Sequence, residues 1–353
     1  MNVCVRLMCT LIEMRLEVRV NRFGFTLCRY VMGVCVLGLL PAAWAADVTV
    51  LVKPGVPANG VDQFPTIQNA VDHAPEATEG GRVIIRITPG VYHERVWIPQ
   101  NRPRLTLLGL GKLPEDTVIS AGHFGKDSGG TFFTETVEVN GEGFQADNVT
   151  FENNAGKVGQ ALAISVLADK AIFKHCRFLG YQDTLFANWG RQYYTESYIA
   201  GAVDYIFGNA TAVFDHVEIH SIATGYLTAQ SRLRADESTG FVIRNSQITT
   251  ENLEDHKVSL GRPWRPYSRV VYLNTSMDAG IAPEGFTLWR KGDDPSTMFY
   301  AESQSSGPGA AAAAVRAPWV KQLTAAQASA FQPKQFLRGS DHWDAEAEAA
   351  KLP

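Results

Sequence analysis

Between residues 144 and 277 the chain repeats one short pattern of apolar and polar positions. An apolar residue is followed two positions on by a second, then after two more by a polar residue, and three beyond that by a third apolar residue. The segments are 144–151 (FQADNVTF), 171–178 (AIFKHCRF), 192–199 (QYYTESYI), 212–219 (AVFDHVEI), 241–248 (FVIRNSQI) and 270–277 (VVYLNTSM). Gln192 alone breaks the rule at the first apolar position. The polar members are Asn148, His175, Glu196, His216, Asn245 and Asn274, at intervals of 27, 21, 20, 29 and 29 residues. Alternation over so few residues predicts short strands, not helices. Repeats of this length built from short strands predict a solenoid with one coil per repeat. The expected fold is therefore all-β, a parallel β-helix with apolar residues stacked inside and turns of unequal length. A β-sandwich is the alternative that the same strand spacing allows.

The ends of this array predict short capping helices. Residues 64–71 (FPTIQNAV) read as a helix able to cover the first coil. After Tyr300, Gly307-Pro308-Gly309 leads into five alanines, and 323–328 (LTAAQA) reads as a second helix. An open coil end exposes unpaired strand edges, so caps are expected there.

The N-terminus reads differently. Arg22 and Arg29 precede an apolar run at 30–40, which ends in 41–47 (PAAWAAD). A basic flank, a short apolar stretch and small residues describe a secretory signal peptide over 1–45, cut near Ala45. Met8 and Met14 are alternative starts. A membrane span needs roughly 20 apolar residues, and no run in the chain approaches that. Residues 46–353 then form a single domain, secreted to the periplasm or beyond the cell, monomeric and without stable membrane association. A lipid anchor on Cys35 is disfavoured by Val34 before it.

Composition and charge sharpen this. Of 353 residues 45% are apolar and 19% charged, with 32 Lys and Arg against 36 Asp and Glu, a net charge of −4. Removing the leader takes five basic and two acidic residues, leaving 27 against 34, or −7. An acidic chain lacks the basic surplus of a nucleic-acid binder. Four of the five cysteines fall in the leader, so Cys176 is left with no partner for an internal disulfide.

Two aspartates share one register. Asp183, in 180–186 (GYQDTLF), and Asp204, in 201–208 (GAVDYIFG), each lie eight residues after the polar member of their repeat, His175 and Glu196. Stacked coils would bring them to the same lateral position on neighbouring rungs, about 4.8 Å apart. Two carboxylates that close cannot both ionise cheaply, so one pKa rises while the other stays low. Such a pair supplies an acid together with a nucleophile or base; the spacing leaves open which is which. The plainer reading is that each Asp beside a glycine only ends a strand. Arg262, in 260–264 (LGRPW), is a candidate to hold one carboxylate ionised through a two-pronged contact. Gln160 and Gln182 carry amide donors suited to a developing oxyanion. Tyr181, Trp189, Phe207, Trp264 and Trp289 offer aromatic faces for a sugar ring, and Val203 lies beside Asp204. Other motifs fail: Lys126-Asp127-Ser128-Gly129-Gly130 lacks the first glycine of a serine-protease loop, and His93-Glu94 has no second histidine.

The chain resembles the pectinesterase (pectin methylesterase) family, of the bacterial secreted type, over most of its length. The resemblance rests on 90–94 (GVYHE), 160–163 (QALA), GYQDTLF, 201–210 (GAVDYIFGNA), 225–230 (GYLTAQ) and LGRPW, in the family's order. It implies a right-handed parallel β-helix that hydrolyses the C6 methyl ester of polygalacturonate, giving methanol and a free carboxylate. By the same resemblance Asp204 is the nucleophile, and Asp183 protonates the departing methanol and then activates water. Gln160 and Gln182 form the oxyanion hole and Arg262 orients Asp204. Phe207 and Trp264, with Tyr181 and Val203, contact the sugar. No metal or cofactor is called for, since acid, nucleophile and oxyanion donors are all protein groups. Ala202 and Tyr205 stand in place of the family's commoner Thr and Phe, and Phe286 where many members have a sugar-contacting Trp. The expected partner is methyl-esterified pectin, and net negative charge favours a highly esterified chain. Competing readings are a hydrolase of another ester or thioester, a non-catalytic carbohydrate-binding β-helix, and a calcium-dependent polyuronate lyase.

Overall fold

Every repeat folds as two strands joined at its polar member, as in Ala171–Lys174 and Arg177–Leu179 around His175. All six polar members take left-handed backbone conformations, with φ between 48° and 58°, and Gln304 continues the series at φ 56°. That conformation turns the chain sharply and is costly for β-branched residues, which is why the position is never apolar. The computed structural model describes residues 46–251, 258–310 and 314–352. The leader and cleavage point near Ala45 expected from the sequence lie outside these residues, as does much of the alanine run.

The coils stack in the register the repeat implies. Ala171, Gln192, Ala212, Phe241 and Val270 pair in turn across one wall. Phe151, Phe178, Ile199, Ile219, Ile248 and Met277 do so across the next. The first wall is a sheet of 12 strands, all parallel neighbours, from Gln63–Phe64 to Lys321–Gln322. The second wall contains Thr117–Ala121, Thr150–Asn153 and Arg177–Leu179; the third contains Val137–Val139, Ile164–Val166 and Leu185–Ala187. In the next two coils these walls merge into single long, bent strands, Tyr198–Gly208 and Glu218–Gln230. The result is a right-handed parallel β-helix.

Inside, like residues stack rung upon rung. The Tyr194 ring lies between Phe173, at 4.9 Å and 4°, and Phe214, at 4.7 Å and 11°. Gln192, the exception in the repeat, is fully buried beneath this stack. Its Oε1 accepts from the Tyr194 hydroxyl at 2.7 Å, and its amide donates to the carbonyls of Val166 at 3.0 Å and Trp189 at 2.9 Å. Polarity at that position is thus satisfied on every side. Removing the central ring leaves a cavity and an unpaired Gln192, so Tyr194→Ala is expected to cost about 3–5 kcal/mol. Urea unfolding checks this; a loss under ~1 kcal/mol would show a core that collapses around the gap.

At the N-terminal end, helix α1 (Ile67–His73) covers the first coil with Ile67, Ala70 and Val71, and the Thr66 hydroxyl caps it by accepting the Asn69 N–H at 3.1 Å. At the other end no helix covers the last coil among the described residues. Trp319 packs on Tyr300 at 5.1 Å, and a buried Arg316–Glu302 pair at 2.8 Å fills the rim. The C-terminal helices α2 (Ala325–Ala328), α3 (Pro333–Phe336) and α4 (Ala345–Ala349) instead run back along the outside of the first wall. Ala328, Leu337, Trp343, Ala349 and Leu352 pack there on Ile172, Tyr193, Val213, Val242 and Val271. These five are the second residues of their repeats; being apolar and outward-facing, they need a cover. Among the described residues no helix is long and apolar enough to cross a membrane.

Candidate active site

Where the second and third walls meet, Gln160, Gln182 and Val203 pair on successive rungs, and Val203 pairs on to Tyr226. One residue further on lie Asp183 and Asp204, on adjacent rungs and 8% and 5% exposed. The Asp183 N–H donates to the Val203 carbonyl at 3.0 Å. Both aspartates hold left-handed backbones, φ 64° and 50°. Two non-glycine residues in that region on neighbouring rungs are a local strain that the surrounding ladder maintains, as is common where geometry serves chemistry.

The two carboxylates have different surroundings. Asp204 receives a fork from Arg262, Nε to Oδ1 at 2.9 Å and Nη2 to Oδ2 at 2.6 Å. The guanidinium is itself clamped between the Tyr226 ring at 3.9 Å and the Trp289 ring at 4.1 Å. Burial raises the Asp204 pKa, and the bonds and charge of Arg262 oppose that rise. Asp183 has no hydrogen-bond partner for its carboxylate among the described residues. Burial first, and then the nearby Asp204 charge, push its pKa well above the ordinary carboxyl value. Protonated Asp183 beside an ionised Asp204 is therefore the favoured state of the pair.

Gln160 and Gln182 share one lateral position on adjacent rungs, one residue before that of the pair, and neither side chain has an internal hydrogen bond among the described residues. A row of aromatic rings flanks them. Phe132 meets Phe186 at 4.8 Å, Phe186 stacks on Phe207 at 4.6 Å, Phe207 meets Trp264 at 6.0 Å, and Trp264 meets Trp289 at 6.4 Å. Tyr181 is half-buried under the Lys157 ammonium, and its carbonyl accepts the N–H groups of Ala202 and Val203.

Two expectations from sequence are displaced. Phe286 is no depleted sugar contact: it is buried in the core against Tyr272 and Tyr300. Trp289 is the ring that reaches the site, over Arg262. Trp189 stands apart from the aromatic row, exposed on the turn after the third wall. Phe132, Phe186 and Tyr226 were not singled out from sequence. Phe186 and Tyr226 fall in register with Phe207 and Val203, so the repeat carried a signal for both; Phe132 lies in an insertion outside it. Among the described residues no group of three or more His, Cys, Asp or Glu is placed to hold a metal ion.

Comparison with known proteins gives the family of the chain and of its fold. The family model described as Pectinesterase matches residues 54–340. Pectinesterase 31 of Arabidopsis thaliana is 38% identical over 293 residues, covering 80% of this chain and 91% of that protein. Several other curated Arabidopsis relatives, described as pectinesterase/pectinesterase inhibitor, are spanned over only about half their length, for example 52%. Among solved structures, a pectin methylesterase from carrot superposes with a TM-score of 0.78 at 34% identity, over 87% of this chain and 96% of that one. A pectin methylesterase in complex with a hexasaccharide does so with a TM-score of 0.70 at 28% identity, over 88% of this chain and all of the other. These similarities reach plant proteins, so they do not single out a bacterial type.

Proposed function

The chain belongs to the pectinesterase family and is a carboxylic ester hydrolase, and from that premise we propose that it removes C6 methyl esters from pectin with Asp204 as nucleophile and Asp183 as acid and base. An Asp204 carboxylate oxygen attacks the ester carbonyl, and the resulting oxyanion accepts N–H bonds from Gln160 and Gln182. As the tetrahedral intermediate collapses, Asp183 gives its proton to the departing methoxy oxygen and methanol leaves. An anhydride joins substrate and Asp204. Asp183, now ionised, takes one proton from water, whose oxygen attacks the C6 carbonyl and expels the Asp204 carboxylate; the sugar carboxylic acid so formed loses the second proton to solvent. The aromatic row from Phe186 to Trp264, with Tyr181 and Val203 beside it, holds the sugar.

The observation that carries this reading is the asymmetry of the pair. Arg262 forks onto Asp204, and the Asp183 carboxylate has no hydrogen-bond partner among the described residues. Of the two, only Asp183 is then ready to donate a proton. Methanol release from methyl-esterified pectin tests the activity directly.

The pH profile tests the assignment. A pKa raised by burial and by the Asp204 charge keeps Asp183 protonated to higher pH than a free carboxyl. kcat/KM is expected to fall as pH rises through that elevated value, and to fall again in acid as Asp204 takes up a proton. An alkaline limb near the ordinary carboxyl value of about 4 would count against Asp183 as the acid.

A further inference from the structure

The outward column of the third wall does not end at the aromatic row. Phe207 pairs with Phe186, and the column then continues through Ser165 and Glu138 to Trp97. Trp97 is 56% exposed, and Trp189, three residues after Phe186, is 61% exposed. The two tryptophans line one cleft of about 690 Å³, together with Gln100, Glu138, Asn140 and Asp169. From the coil of Trp97 to that of Trp189 is three rung spacings, about 14 Å at the usual separation of strands.

This cleft is fastened from within. The turn that displays Trp189 is held by the buried amide of Gln192, which donates to the Trp189 carbonyl. Gly190 follows with φ 77°, where a Cβ would come within 2.6 Å of the Asp169 backbone. Inside the cleft most charge is neutralised: Asp169 is paired with Arg191 at 2.5 Å and Glu142 with Lys170 at 2.9 Å. Glu138 is bonded only to the Asn140 amide, at 2.7 Å, with no cationic partner among the described residues.

We infer that the Trp97–Trp189 cleft is a second polysaccharide-binding site, which holds uncharged, methyl-esterified galacturonate units of the same chain whose ester is under attack at Asp204. This rests on the proposed pectin substrate. Exposed indole faces suit the apolar faces of pyranose rings, and Glu138 and Asn140 supply an acceptor and a donor for ring hydroxyls. A free uronate would meet the unneutralised Glu138 carboxylate, whereas a methyl ester would not. The site thereby selects the unreacted part of the polymer and keeps it beside the catalytic pair.

The test uses the double variant Trp97→Ala/Trp189→Ala, whose changes lie on exposed surface, with its melting temperature checked against the parent. On highly esterified pectin, KM is expected to rise roughly fivefold or more, the equivalent of about 1 kcal/mol of lost stacking, while kcat at saturation holds. In native gels containing the polymer, the parent is expected to be retarded by esterified pectin more than by polygalacturonate, and the double variant by neither. Unchanged KM and unchanged retardation in the variant would overturn the inference. Equal retardation of the parent by polygalacturonate would overturn the selection for esters. A parent that releases no methanol would sink the esterase reading alone, because the gels report on the cleft without turnover.

Discussion

Replacing Asp204 with alanine is expected to abolish methanol release, by roughly 10⁴- to 10⁶-fold in kcat, the scale of losing a nucleophile that works in concert with other groups. The covalent route then has no attacking atom, and the Gln160 and Gln182 amides have no tetrahedral adduct to stabilise. Asp204→Asn is the stricter variant. It keeps the volume and one acceptor for Arg262, but has neither the charge nor the nucleophilicity. Both variants leave a half-buried guanidinium short of its counterion, so stability will also fall. Near-ultraviolet circular dichroism separates a misfolded protein from a folded, silent one. A folded Asp204→Asn protein within tenfold of the parent would end the nucleophile assignment.

Asp183→Ala is expected to lose 10²- to 10⁴-fold on methyl esters, the usual worth of a positioned acid or base. Its signature is in the leaving group. Methoxide departs poorly without a proton, whereas trifluoroethoxide needs little help. On a trifluoroethyl ester of the same polymer, Asp183→Ala should therefore release a rapid burst of alcohol equal to the enzyme present. Slow turnover should follow, because water still lacks its base for the second step. Asp204→Ala should give no burst with either ester. A merely structural role for Asp183 would depress both esters alike, and reversed roles would exchange the two phenotypes.

The register of the fold was legible because two constraints recur at fixed offsets: an inward apolar residue every second position, and a corner that only a polar, unbranched side chain tolerates. Asp183 and Asp204 could be aligned by counting from those corners. Their division of labour could not be counted, because it depends on Arg262, 58 residues from Asp204 in sequence, and on the Tyr226 and Trp289 rings that clamp it. Gln192 breaks the pattern in sequence because its three partners are a matter of folding: Tyr194 and Trp189 are near neighbours in the chain, but Val166 lies 26 residues away on another coil. Phe286 and Trp289 differ by three positions, and only packing decides which of them enters the core. The apolar residues at the second position of five repeats face outward under a cover, and nothing local to the repeats says that the cover comes from the C-terminus.

That cover changes how the molecule holds together. A solenoid whose coils touch only their neighbours can fray from either end, losing one repeat at a time. Here the last residues cross back over the first wall. Arg191 holds both Asp169 and Asp341, and the Lys174 ammonium reaches the Leu352 carbonyl, 178 residues away in sequence. Unzipping the terminal coils would detach this band from the middle ones, so local loss is converted into collective loss, and the coils that carry Asp183 and Asp204 melt with the whole. The same closure delays completion: the long-range contacts cannot form until the final residues are in place.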